Sequence, residues 1–181
     1  MSRLKIGDIA PNFSFAGLHR TITELKNLKG KIVVIFFVRS PFWRPCRTRT
    51  SEFGRTLSQF RAENAEILIV VPAKREKTAK YASALGFDGF VVPDNEKNIY
   101  RRYGLDTSFM GVMQKSEVFI VDENSEVVFA QGHGSPFRLP EVTEVLDVVK
   151  TLNLERSTKN DEHMPNRWTI SGIMFNLTLF W

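Results

Sequence analysis

The chain has one cysteine in 181 residues, so no disulfide can close within it. That points to a reducing compartment, and a cytoplasmic location is the expectation. Three histidines, His19, His133 and His163, sit at spacings that suit no metal. Neither a metal nor a cofactor is expected. Long runs of one charge are absent, although the net charge is +5. A scattered excess of this kind reads as solvated surface, not as a track for nucleic acid. No segment reaches the ~20 apolar residues of a membrane-spanning helix. The N-terminus lacks the apolar stretch and small-residue cleavage site of a secretory signal.

What the chain does have is a core. Fifteen phenylalanines are available to build it. Residues Ile32 to Val38 are unbroken apolar and largely β-branched, as in a strand buried on both faces of a parallel sheet. Pro41 and Pro45 interrupt the pattern, and then the period changes. Cys46, Phe53, Leu57 and Phe60 recur at helical spacing, which predicts a helix over 45–62 that Gly54 weakens. A second buried strand spans 66–71, and a helix over 76–85 ends at Gly86. Thr23 is placed to cap a short helical turn through Leu25 and Leu28.

A short strand follows at 90–92, and Pro93-Asp94-Asn95 leads into a helix carrying Ile99, Tyr100 and Tyr103. Strands at 117–121 and 126–130 flank the turn Asp122-Glu123-Asn124-Ser125. A last amphipathic helix over 140–152 presents Val142, Val145, Leu146 and Val149 on one face. The order predicts a mostly parallel sheet with helices on both faces and a late antiparallel hairpin. One domain is expected over 1–152. Residues 153–181 read as a tail, polar and then aromatic, outside the core. Three readings of it stay open: a packing arm, an interaction peptide, or a segment not native to the domain.

The single cysteine stands where this pattern puts chemistry. A thiolate is favoured at a helix N-terminus and beside cations. Cys46 falls in the predicted first turn, with Arg39, Arg44, Arg47 and Arg49 close in sequence. These features predict an electropositive pocket and a thiol pKa below the free value. The competing reading is a buried, inert cysteine.

Several motifs, in order, resemble the alkyl hydroperoxide reductase/thiol-specific antioxidant family of peroxiredoxin-like redoxins. They are Gly7-Asp8-x-Ala10-Pro11-x-Phe13, Phe36-Phe37-Val38-Arg39, Arg44-Pro45-Cys46-Arg47, Ile99-Tyr100-Arg101-Arg102-Tyr103-Gly104-Leu105 and Val118-Phe119-Ile120-Val121-Asp122. The resemblance spans about five-sixths of the chain. It implies a thioredoxin-like, three-layer α/β/α sandwich with a mixed central sheet. It also implies a thiol peroxidase with Cys46 as the peroxidatic thiol and Arg39, Arg44 or Arg47 as stabilising cations. The partners implied are a peroxide and an external thiol reductant such as thioredoxin, glutaredoxin or glutathione, with a homodimer as one assembly.

The departures bear on mechanism. The family pattern Pro-x-x-x-Thr-x-x-Cys reads Arg39 at the proline and Trp43 at the threonine. The family arginine before the late strand falls at Ser116, beside Lys115. With no second cysteine, a peroxidase cycle must be of the one-Cys kind, through a sulfenic acid. The alternative is a catalytically weak thioredoxin-fold protein that binds a partner or senses oxidants.

Overall fold

The computed structural model describes residues 3–15, 23–105, 114–132 and 139–162. His19, His133, His163 and the aromatic part of the tail lie outside them. Seven strands and four helices alternate along the described chain. They are β1 (Ser14–Phe15), β2 (Thr23–Glu24), β3 (Ile32–Phe37), α1 (Arg44–Ala62), β4 (Ala65–Val71), α2 (Arg75–Leu85), β5 (Phe90–Pro93), α3 (Asn98–Arg102), β6 (Glu117–Val121), β7 (Val127–Gln131) and α4 (Val142–Glu162).

β1 and β2 form a small antiparallel pair. The other five strands form one sheet in the order β5-β4-β3-β6-β7. β3 runs parallel to β4, with Val34 opposite Ile67, and antiparallel to β6, with Ile35 opposite Phe119. The two expected central strands are therefore neighbours, parallel and away from both edges. Every residue of β3 is buried, and its alternation divides the core. Val34 and Phe36 face a cluster with Phe53 and Phe60 of α1, Tyr81 of α2 and Val145 and Val149 of α4. Val33, Ile35 and Phe37 face the other cluster, with Phe13, Phe15, Tyr100, Tyr103 and Phe119. This is the thioredoxin-like three-layer arrangement with a mixed sheet.

Local chemistry explains the boundaries. Asp94 starts α3: its carboxylate accepts the N–H groups of Asn98 at 2.9 Å, Ile99 at 2.8 Å and Tyr100 at 3.1 Å. Gly86 ends α2 in the left-handed conformation, φ 62°. Gly54 has a packing reason. A Cβ there would meet the Gly86 carbonyl oxygen at 3.2 Å, so glycine lets α1 approach the end of α2 closely.

Two expectations change. Thr23 belongs to β2, and the short 3₁₀ turn Leu25–Leu28 has Glu24 at its N-cap with no side-chain cap. The Thr23 hydroxyl instead accepts the Asn27 amide N–H at 3.3 Å. Residue 24 is extended, so the turn begins one position later than the threonine. The last helix also runs to Glu162, ten residues past the expected end at 152. Its apolar stripe stops at Leu152, but no glycine or proline stops the backbone until Pro165. The extension leaves Leu154 68% exposed, while the Asn153 side-chain amide donates to the Glu63 carbonyl at 2.8 Å.

Candidate functional site

The site lies where β3 ends and α1 begins. Pro45 occupies the second position of α1, where its missing N–H removes no helical bond. Cys46 follows as the third residue, in the first turn. Its side chain is fully buried. The sulfur accepts the backbone N–H of Arg39 at 3.3 Å and lies 3.7 Å from the Ser116 hydroxyl oxygen.

Ser116 was marked in the sequence only as a departure from the family arginine. It stands 70 residues from Cys46 in the chain. The residue is 1% exposed, and its hydroxyl donates to the Phe37 carbonyl at 2.8 Å. That bond uses its only hydrogen. In the neutral state the thiol S–H is therefore the donor to Ser116. Once Cys46 ionises, the serine hydroxyl can rotate and donate to the sulfur. Gly132 holds this corner close, because a Cβ there would lie 2.6 Å from the Ser116 carbonyl oxygen.

Tyr81 was also not singled out. Its hydroxyl donates to the Cys46 carbonyl at 3.2 Å, and Thr50 donates to Tyr81 across 2.7 Å. These bonds tie α2 to the first turn of α1. Burial pushes the Tyr81 hydroxyl well above the usual phenol range, so it stays a donor. From the opposite layer, the Tyr100 hydroxyl shares its one hydrogen between the carbonyls of Val38 at 2.5 Å and Val70 at 2.8 Å.

The arginines divide. Arg39 Nε donates to the Gln114 carbonyl at 2.9 Å, and its guanidinium stacks 4.8 Å from the Trp43 ring. Arg39 is the arginine whose charge helps lower the Cys46 pKa. Arg47 turns to the Pro41 carbonyl at 3.3 Å, Arg44 is exposed, and Arg49 pairs with Glu52 and Glu141 at 2.8 and 2.6 Å. Of the four arginines, Arg39 is the one whose backbone N–H bonds the Cys46 sulfur, and its guanidinium stacks on Trp43. Trp43 is the N-cap of α1 and makes no side-chain cap.

The expected low thiol pKa is not what this geometry produces. Burial raises the Cys46 pKa above the ordinary 9.0, against the lowering pull of the Arg39 N–H, Ser116, the Ser40 N–H and the Arg39 charge. The helix terminus is present, but desolvation of the thiolate outweighs it. The rate of Cys46 alkylation should therefore rise with pH along a curve whose midpoint lies above 9.0. The same shift makes folding weaker at high pH, because the unfolded thiol ionises first. An iodoacetamide titration between pH 6 and 11 measures this. A midpoint below 8 would show that the segment over Cys46 opens readily enough for the helix dipole to dominate.

Among the described residues no group of three or more His, Cys, Asp or Glu is set to hold a metal ion. No described helix is long and apolar enough to cross a membrane.

Comparison with known proteins agrees with this architecture. Residues 6–130 match the AhpC/TSA family. The chain is 26% identical over 129 residues to "Thiol peroxidase" of Oceanobacillus iheyensis, covering 70% of this chain and 77% of that one. It is 22% identical over 132 residues to "Peroxiredoxin Bcp" of Bacillus subtilis, covering 69% and 83%. Among solved structures, Mycobacterium bovis AhpC superposes with a TM-score of 0.70 at 24% identity, over 84% of this chain and 99% of that one.

Proposed function

Because this chain belongs to the AhpC/TSA family, we propose that it is a thiol-dependent peroxidase of the one-Cys kind, with Cys46 as the peroxidatic thiol. The observation that carries the assignment is the position of the chain's only cysteine, in the first turn of α1 with the Arg39 N–H on its sulfur. The Cys46 thiolate attacks one peroxide oxygen, the O–O bond breaks, and the departing oxygen takes a proton. Cys46 becomes a sulfenic acid. The Arg39 N–H and a rotated Ser116 hydroxyl hold the negative sulfur before attack, and the Arg39 guanidinium offsets charge at the leaving oxygen. With no resolving cysteine, an external thiol condenses with the sulfenic acid, and a second thiol completes the reduction. A cytoplasmic setting, rich in small thiols, suits that cycle.

Sulfur burial means that the residues packed around Cys46 must open locally to admit the peroxide. It also favours a second reading, a slow thiol that reports oxidants or binds a partner. Stopped-flow mixing with hydrogen peroxide and an organic hydroperoxide separates the two. A peroxidase oxidises orders of magnitude faster than free cysteine, forms a dimedone-trappable sulfenic acid, and loses both with Cys46→Ser. Oxidation no faster than free cysteine would leave the sensing or binding role as the better account.

A further inference from the structure

We infer that Tyr81 is a positioning residue for Cys46: its hydroxyl latches the first turn of α1 to α2 and sets how often the buried thiol becomes reachable. The consequence for peroxide rests on the one-Cys reading above; the latch itself does not.

The body of α1 and its first turn are held by different means. Phe53, Leu57 and Phe60 bury the body in the core that α1 shares with β3, α2 and α4. Gly54 adds the close fit to the end of α2. Between Arg44 and Arg49, by contrast, Cys46 is the one buried residue, and Arg44, Pro45 and Thr48 are exposed. The Trp43 N-cap gives this turn no side-chain bond, and Pro45 has no N–H to contribute. Arg49 reaches Glu141 at 2.6 Å, but Glu141 is exposed, and an ion pair at the surface holds little.

The remaining ties fall on Cys46 itself. Its sulfur takes the Arg39 N–H and lies beside Ser116. Its carbonyl stands four residues before Thr50 and so accepts that N–H within the helix. The second lone pair of the same oxygen accepts the Tyr81 hydroxyl at 3.2 Å. Thr50 donates to Tyr81 across 2.7 Å. Among the described residues these are the hydrogen bonds that join α1 to α2, and both run through one hydroxyl. Tyr81 is 3% exposed and Thr50 is fully buried, so water does not compete for the latch while it is closed. Burial raises the Tyr81 pKa and a negative Cys46 raises it further, so the hydroxyl keeps its proton when the thiol ionises.

Bringing the sulfur to solvent by loosening the first turn separates the Cys46 carbonyl from Tyr81. Breaking that bond in advance therefore makes the opening more frequent. Tyr81→Phe does this cleanly, because the ring stays in the core. The freed Thr50 hydroxyl can turn to the Cys46 carbonyl, the acceptor four residues back in its own helix. No buried hydroxyl is then stranded, yet the tie between the two helices is gone.

The test is alkylation of the full chain by excess iodoacetamide at one fixed pH. Tyr81→Phe should react about three- to tenfold faster than the unaltered chain, the factor that one hydrogen bond carries. The gain should persist through low urea, because opening one turn exposes little surface. Tyr103→Phe is the control. It removes a tyrosine bond to the Pro11 carbonyl, 3.2 Å, in the opposite layer of the core, and should leave the rate unchanged. A second measurement needs no variant. Amide hydrogen exchange from Arg47 to Thr50 should be insensitive to low urea, while that of Leu57 and Phe60 rises with it. An unchanged rate in Tyr81→Phe, an equal acceleration in Tyr103→Phe, or one shared urea slope for both groups of amides would overturn the inference. Oxidation by hydrogen peroxide should rise by the same factor as alkylation. If alkylation responds as expected but neither protein reacts with peroxide faster than free cysteine, the latch stands and the peroxidase reading falls.

Discussion

Trp43→Thr should raise the rate of Cys46 oxidation by hydrogen peroxide by about one to two orders of magnitude, the equivalent of roughly 1–3 kcal/mol of transition-state stabilisation. Trp43 occupies the N-cap of α1, three residues before Cys46, and makes no side-chain cap. An indole has one N–H donor and no acceptor. A threonine hydroxyl at an N-cap accepts the N–H of the second or third helical residue, and the third here is Cys46. It can donate its own hydrogen to a peroxide oxygen at the same time. The cap offsets part of the packing and Arg39 stacking lost with the indole, at about 0.5–2 kcal/mol. Trp43→Val separates the two effects of the change, because it removes the same bulk and supplies no hydroxyl. Stopped-flow rates should rise markedly for threonine and at most a few-fold for valine. If valine accelerates as much as threonine, the indole acts only as a shield. If the native protein is already fast and threonine slows it, Trp43 itself promotes the reaction.

The second large effect falls on stability. Phe37→Ala should destabilise the protein by about 3–5 kcal/mol, measured by urea unfolding. Phe37 is fully buried at the end of β3, with ring centroids of Tyr103 at 4.9 Å, Tyr100 at 5.0 Å and Phe119 at 5.8 Å. Removing its ring opens a cavity that three rings from α3, its C-cap and β6 must partly refill. Leu154→Ala is the comparison, since that leucine is 68% exposed and should change stability by less than about 0.5 kcal/mol. A loss under 1 kcal/mol for Phe37→Ala would mean that this aromatic cluster collapses without cost and does not hold the sheet to α3. The variant also tests the site indirectly, because the Phe37 carbonyl accepts the Ser116 hydroxyl.

Much of the architecture is written in local pattern. The apolar run of β3, the helical recurrence of Cys46, Phe53, Leu57 and Phe60, and the turn at Asp122 each depend on neighbours within a few residues. Periodicity reads such features directly, so the order of elements along the chain and the location of Cys46 in the first turn of α1 were legible. The start of the 3₁₀ turn and the length of α4 were less so. A threonine is a good cap only if the backbone enters the helix at that residue, and an apolar stripe marks where packing ends, not where the helix ends.

By itself, the sequence determined that there is one thiol, that no internal disulfide forms, that Cys46 opens a helix after a buried strand, and that arginines crowd it along the chain. The tertiary structure decided what those facts amount to. Ser116 arrives at the sulfur from β6's approach, Tyr81 grips the Cys46 carbonyl from α2, and Arg39 folds back on Trp43 and Gln114, while Arg47 bonds the Pro41 carbonyl and Arg44 is exposed. Even the sign of the thiol's pKa shift was settled there. A helix dipole and nearby arginines are local and visible in sequence. Desolvation depends on everything that surrounds the sulfur, and those groups come from segments tens of residues away.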